Sequence, residues 1–214
     1  MNLGIRSGCF LAVMGPAGAG KTTLLRCLAG LVPPTSGSTR WAPGPDPAQP
    51  VPVELLLEEP SLDERQPDHP AGSVAESVRS AGPVGRVDLD RVLRATLLGR
   101  SPERPVRELS ASSRQRLAVA RALARAPRLL LADEPGPDAR SGAERARATV
   151  LRRASARFDV ATVMAVRDPV AAALASATVF LHRGQVVDAV AGADPAELAE
   201  CLLRIERQQS AACD

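Results

Sequence analysis

Lysine is almost missing from this chain. Of 27 basic side chains in 214 residues, one, Lys21, is a lysine and the rest are arginines. Tyrosine is absent and aromatics make up 2%, so the core must be aliphatic and alanine-rich. Trp41 alone offers no stacking platform for bases. No apolar run reaches the roughly 18 residues of a membrane span, and no signal peptide precedes the first strand-like run. Any membrane association must therefore come through a partner. Cys9, Cys27, Cys201 and Cys213 show neither zinc spacing nor a C-x-x-C pair, which reads as reduced thiols. His69 and His182 are isolated, with no metal cluster around them. A net charge of +3 suits an anionic ligand or a membrane surface without demanding nucleic acid. With 45% hydrophobic and 24% charged residues the chain is globular, long enough for one α/β domain with an insertion or for two small domains.

The single lysine stands in Gly15-Pro16-Ala17-Gly18-Ala19-Gly20-Lys21-Thr22-Thr23, which fits the phosphate-loop pattern of Gly, four residues, Gly-Lys, then Ser or Thr. A strand-like run, Phe10 to Met14, leads in, and a helix-like run, Thr22 to Leu28, leads out. That context is what the motif needs, because glycine-turn N–H groups and a helix N-terminus then converge on phosphate oxygens. The lysine places a compact ammonium on the β/γ-phosphates, and the Thr22 hydroxyl ligates Mg²⁺. The spacing predicts a nucleotide-binding chain.

Prolines 33 and 34 break the first helix, Thr39 to Trp41 reads as a short strand, and Val53 to Leu57 is an apolar run. Residues 61–105 are polar and proline-interrupted, with helical patches at 74–78 and 89–98. A strong helix follows Ser110, with Leu117, Ala120, Leu123 and Ala124 on its apolar face. The arginines from Arg114 to Arg128 alternate with alanine and leucine, which points to a solvated helix face rather than a nucleic-acid surface. Leu129 to Ala132 reads as a buried strand. Helix (142–157), strand (160–166) and helix (169–175) come next, then a hairpin turning at Arg183-Gly184. A last helix is capped by Asp194 with Pro195 at its first position. Strands alternating with helices imply a parallel sheet. The expected fold is α/β: a phosphate-loop NTPase with a mostly parallel sheet flanked by helices. Residues 1–59 and 127–214 would form the nucleotide-binding core, and 60–126 an inserted helical subdomain.

Asp133-Glu134 closes the buried strand, where an aspartate can hold Mg²⁺ and a glutamate can polarise an attacking water. With Leu109-Ser110, the run Arg114 to Leu123, and Leu130-Leu131-Ala132-Asp133-Glu134-Pro135, the chain resembles the ATP-binding cassette (ABC) transporter ATPases over nearly its whole length. Leu-Ala-Asp-Glu-Pro followed by Ser141-Gly142 is similar to the branch serving lipoprotein-release and macrolide-export permeases. The resemblance implies MgATP at residues 15–23, with Thr22, Asp133 and, through water, Glu58 as metal ligands. Glu134 and Arg167 would be catalytic, Arg167 standing at the family's switch histidine. It implies a second cassette paired head to tail, a polytopic permease, and residence on the cytoplasmic face of the membrane.

The chain also departs from the family. The signature segment reads Leu109-Ser110-Ala111-Ser112-Ser113, so both glycines and the glutamine of Leu-Ser-Gly-Gly-Gln are replaced. Ala and Ser add a Cβ where backbone should approach the partner's phosphate, although Ser110 can still donate. Glu58 replaces the lid glutamine, and Arg140 replaces an aspartate that bonds across subunits. Arg167 can bond a γ-phosphate oxygen but cannot shuttle a proton. The strand whose aromatic stacks on adenine in the family is absent, which implies either a late start or a weak hold on adenine. The phosphate loop, Asp133 and Glu134, which serve the chain's own ATP, are thus intact, while the residues offered to a partner's ATP and the sensing positions Glu58 and Arg167 depart from the family pattern. Slow hydrolysis is one expectation. A degenerate cassette that uses ATP only to dimerise is the other. A small-molecule kinase would want an acceptor lid in place of this signature helix.

Overall fold

The computed structural model describes residues 3–40, 51–56, 72–82, 88–133 and 141–211. Its frame is a six-stranded sheet of β1 (Phe10–Met14), β2 (Val53–Leu56), β3 (Leu129–Ala132), β4 (Ala161–Ala165), β5 (Ala177–His182) and β6 (Gln185–Ala191). They lie in the order β2-β3-β4-β1-β5-β6. All neighbours run parallel except the hairpin β5–β6. β1, β3 and β4 are buried along their whole length, which is why they read as continuous apolar runs rather than alternating ones.

The helices are α1 (Lys21–Leu28), α2 (Val74–Arg79), α3 (Leu89–Ala95), α4 (Ala111–Ala124), α5 (Ser141–Phe158), α6 (Pro169–Ala172) and α7 (Pro195–Ala211). Alternate strand residues build two apolar layers. Leu11, Val13, Leu131, Val163 and Leu181 meet Leu25 of α1 on one face. Phe10, Ala12, Met14, Leu130, Met164 and Phe180 meet α4, α5 and α7 on the other, through Leu123, Leu151 and Leu198 among others. Local chemistry sets the helix starts. Ser73 and Glu76 form a reciprocal capping box on α2. Asp88, Ser110 and Asp168 cap α3, α4 and α6, and Asp194 accepts from Ala196 N and Glu197 N ahead of Pro195.

The expected elements agree with these to within a few residues, with two corrections. Thr39 and Arg40 are irregular and not strand, while Trp41 lies outside the described residues. Among the described residues no strand pairs with Thr39 and Arg40, so no ladder stabilises an extended conformation there. The α4 arginines are also not simply solvated. Arg121 Nη1 donates to Ser77 Oγ at 3.1 Å, and Arg125 donates to Ala81 O at 3.0 Å and Glu54 Oε2 at 2.9 Å. These bonds tie α4 to α2 and β2. Burial, with Arg125 nearby, lowers the Arg121 pKa from its ordinary value. Among the described residues no helix is long and apolar enough to cross a membrane.

Candidate nucleotide site

Parallel strands deliver their carboxyl ends to one edge of a sheet, and ligands of such sheets bind there. β1 is the pivot of this edge, because β4 and β5, its neighbours, are both later in sequence. Residues 15–20 leave β1 as a loop whose turns need positive φ: 150° at Gly15, 75° at Gly18 and 99° at Gly20, the residue that caps α1. Gly15 also has no room for a side chain, since a Cβ there would lie 2.2 Å from Leu181 O of β5. Ala19 N donates to Pro16 O at 3.2 Å, and Gly184 N, at the tip of the β5–β6 hairpin, donates to Ala19 O at 2.8 Å. The hairpin is therefore the floor of the loop.

Gly15, Pro16, Ala19 and Lys21 are buried, Gly20 and Thr22 half-buried, and Ala17, Gly18 and Thr23 exposed. The Lys21 ammonium reaches across the loop and donates to Gly15 O at 2.7 Å and Pro16 O at 3.1 Å. A compact three-donor cation can do this in a space where a planar guanidinium fork would not turn. On the next strand but one, Asp133 is the first residue past β3. Thr22 Oγ1 donates to Asp133 Oδ1 at 3.1 Å, joining positions 111 residues apart. A hydroxyl and a carboxylate side by side at the start of a helix are hard oxygen donors, a set that fits Mg²⁺ with waters completing its shell.

Arg167 lies just past β4 at the same edge, because Val166 N donates to Val13 O at 3.0 Å and thus sits level with the end of β1. Its side chain is exposed. The Glu144 carboxylate of α5 accepts from the backbone N–H of Arg167 at 3.3 Å and of Asp168 at 2.9 Å. Asp168 also pairs with Arg145 at 2.6 Å and raises the pKa of that guanidinium above its ordinary value. Glu134, Glu58 and Arg140 lie outside the described residues.

The signature residues sit elsewhere, at the open end of α4. Ser110 Oγ accepts from Ser113 N at 3.3 Å and lies 3.1 Å from both Ser112 Oγ and Ser113 Oγ. Ser110, Ala111 and Ser112 are exposed and Ser113 half-buried. No acidic residue occupies the first turn of α4, so its positive end is uncompensated there.

The sequence reading did not single out Glu144, Arg147, Leu181 or Gly184 as site-building residues. Arg147 looks like one more arginine among many, and the other three act through backbone approach or loop bonding. One signal was available: in α5 the buried stripe Ala154, Leu151, Ala148 runs on to Arg147 and Glu144, both nine-tenths buried.

Residues 1–136 match the family model described as ABC transporter. The chain is 31% identical over 198 residues to the probable sulfate/thiosulfate import ATP-binding protein CysA of Chlorella vulgaris, covering 87% of this chain and 81% of that one. It is 36% identical over 139 residues to the zinc import ATP-binding protein ZnuC of Yersinia pestis, covering 63% of this chain. It spans only 49% of that relative, about half its length. In fold it resembles the ATP-binding cassette MJ0796, solved as a dimer in a post-hydrolysis state bound to ADP and Pi, with a TM-score of 0.60 at 22% identity over 90% of this chain and 89% of that one. The phosphate loop, the Asp133 strand end and the family match converge on one assignment: the chain belongs to the ABC transporter family, as one of its ATP-binding subunits.

Proposed function

We propose that the chain binds MgATP at residues 15–23 and hydrolyses it to drive transport through a separate membrane permease. The observation that carries this reading is the contact between Thr22 and Asp133 beside the Lys21 ammonium. The loop's N–H groups and Lys21 would neutralise the β- and γ-phosphates. Thr22, Asp133 and, through water, Glu58 would hold Mg²⁺, which when bound draws charge from the phosphate oxygens. Glu134, joined directly to Asp133, would orient and deprotonate the attacking water, and Arg167 would bond a γ-phosphate oxygen.

Ser110, Ala111, Ser112 and Ser113 would face the ATP of a second cassette, as homodimer or heterodimer. The dimeric state of the ADP-bound neighbour supports such pairing. Residues 60–126 would form the lobe that meets the permease, placing the chain on the cytoplasmic face of the membrane. The names of both curated relatives are those of import proteins, which favours uptake over the export suggested by Leu-Ala-Asp-Glu-Pro.

Ala111 and Ser112 in place of the signature glycines favour a second reading, a cassette that dimerises on ATP with little turnover. Phosphate release by purified protein, alone and with Glu134→Gln, separates the two. The proposal expects a measurable rate that Glu134→Gln reduces. Equal rates would remove Glu134 from the mechanism, and a stable ATP-bound wild-type dimer releasing no phosphate would favour the second reading.

A further inference from the structure

The amino-terminal turns of α5 carry two buried charged side chains that the nucleotide reading leaves without a task. Glu144 and Arg147 are each 9% exposed. Three residues apart, they lie on one helix face, in line with the apolar stripe that packs on the sheet. Burying an ionised group is costly unless it is well bonded, so their partners are informative. Arg147 Nη1 donates to Asp133 O at 2.8 Å, and Nη2 donates to Leu56 O at 3.1 Å. Leu56 O also accepts from Asp133 N at 3.0 Å. The guanidinium therefore closes the β2–β3 ladder one step beyond its last strand residues, and it fixes the Asp133 carbonyl. Glu144 does the corresponding job for β4 by accepting from Arg167 N and Asp168 N.

We infer that α5 is the brace of the nucleotide edge: Arg147 is a positioning residue for the metal ligand Asp133, and Glu144 a positioning residue for Arg167. This rests on the reading of Asp133 and Arg167 given above. Both side chains are engaged with backbone groups of the strand ends. Each orients a group that would meet the metal or the nucleotide, by holding its backbone.

The physical consequence is a split between two effects. Loss of the Arg147 bonds frees the Asp133 peptide to rotate, which weakens the metal-dependent part of binding and spares the contacts made by Lys21. Removing partners that orient a metal ligand commonly costs about tenfold in metal affinity. Loss of the Glu144 bonds lets the Arg167 loop drift, which slows turnover with little change in substrate binding, because misplacement by about 1 Å costs a large factor in rate.

The test measures binding of trinitrophenyl-ATP, with Mg²⁺ and with EDTA, and steady-state MgATP hydrolysis, with thermal melting as a folding check. For Arg147→Ala the affinity in EDTA stays within about twofold of wild type, while the tightening produced by Mg²⁺ shrinks about tenfold. Arg147→Lys, which can hold only one of the two carbonyls, falls between. It carries the test if the alanine variant does not fold. For Glu144→Ala kcat falls at least about tenfold at a KM within twofold, and Glu144→Gln, whose amide oxygen still accepts, recovers most of it. An Arg147→Ala protein that binds like wild type in both conditions, or loses equally in both, overturns the inference. So does a Glu144→Ala protein with wild-type kcat, or a Glu144→Gln protein no better than Glu144→Ala. If wild type shows no Mg²⁺ response, or Lys21→Ala binds as wild type does, the nucleotide reading itself fails and the brace fails with it.

Discussion

Gly15→Ala and Gly18→Ala are the same substitution in the same loop, and the structure assigns them different costs. Both residues have positive φ, 150° and 75°, so each alanine carries a backbone penalty of roughly 1–2 kcal/mol. At Gly18 nothing lies within 4 Å of the new Cβ, and that penalty is the whole cost. At Gly15 the Cβ falls 2.2 Å from Leu181 O and 3.1 Å from the Ala19 Cβ. The first distance is about 1 Å short of ordinary contact. Retreat of Leu181 would disturb β5, which is paired with β1 up to the adjoining Phe180 and with β6 through Leu181 and Val186. Forcing atoms into packed surroundings adds roughly 1–3 kcal/mol, for a total of about 2–5 kcal/mol. In a protein of this length each kcal/mol lowers Tm by about 2–4 °C, so Gly15→Ala melts roughly twice as far below wild type as Gly18→Ala. Calorimetry without nucleotide makes the comparison, because it keeps ligand binding out of the difference. Equal melting points for the two variants would refute the claim that the Leu181 carbonyl closes off the space beneath the loop.

Lys21→Ala removes the ammonium from the centre of the loop. Charged hydrogen bonds contribute about 1.5–3 kcal/mol each, so MgATP affinity falls by two orders of magnitude or more, as read by titration calorimetry. Unchanged affinity would undo the nucleotide assignment. Arg125→Ala breaks the ion pair with Glu54, whose side chains are 50% and 22% exposed. It shifts stability by less than about 1 kcal/mol in urea unfolding, despite the 2.9 Å contact.

What the sequence made legible was local. The phosphate loop is one contiguous word between an apolar run and a helix, and its spacing alone identifies the chemistry. The caps of α4 and α7 follow from Ser110 and from Asp194-Pro195 by the same local logic. The meeting of Thr22 with Asp133 spans more than half the chain, and the sequence offered it only indirectly, through a phosphate loop and a later buried strand ending in Asp-Glu that are both suited to Mg²⁺. Arg147 escaped because its meaning lies in two carbonyls contributed by β2 and β3, and carbonyls carry no sequence signal. The arginines of α4 were misread in part for a related reason. Periodicity marks the apolar face, but it does not show that Ser77 and Ala81 of a neighbouring segment wait beside the opposite one.

The hairpin beneath the loop has a consequence for the order in which the protein can mature. β1 and the loop leave a ribosome well before β4 and β5 do, yet β1 is flanked by those two strands, and the loop rests on Leu181 and Gly184. A nascent chain that has emerged as far as β3 already spells the complete motif and carries Asp133, but lacks both strands that hold β1 in place. Pairing across more than 150 residues is entropically slow and comes after local helices have formed. A finished phosphate loop therefore waits for β4, β5 and the hairpin that follow it by more than 140 residues in the chain.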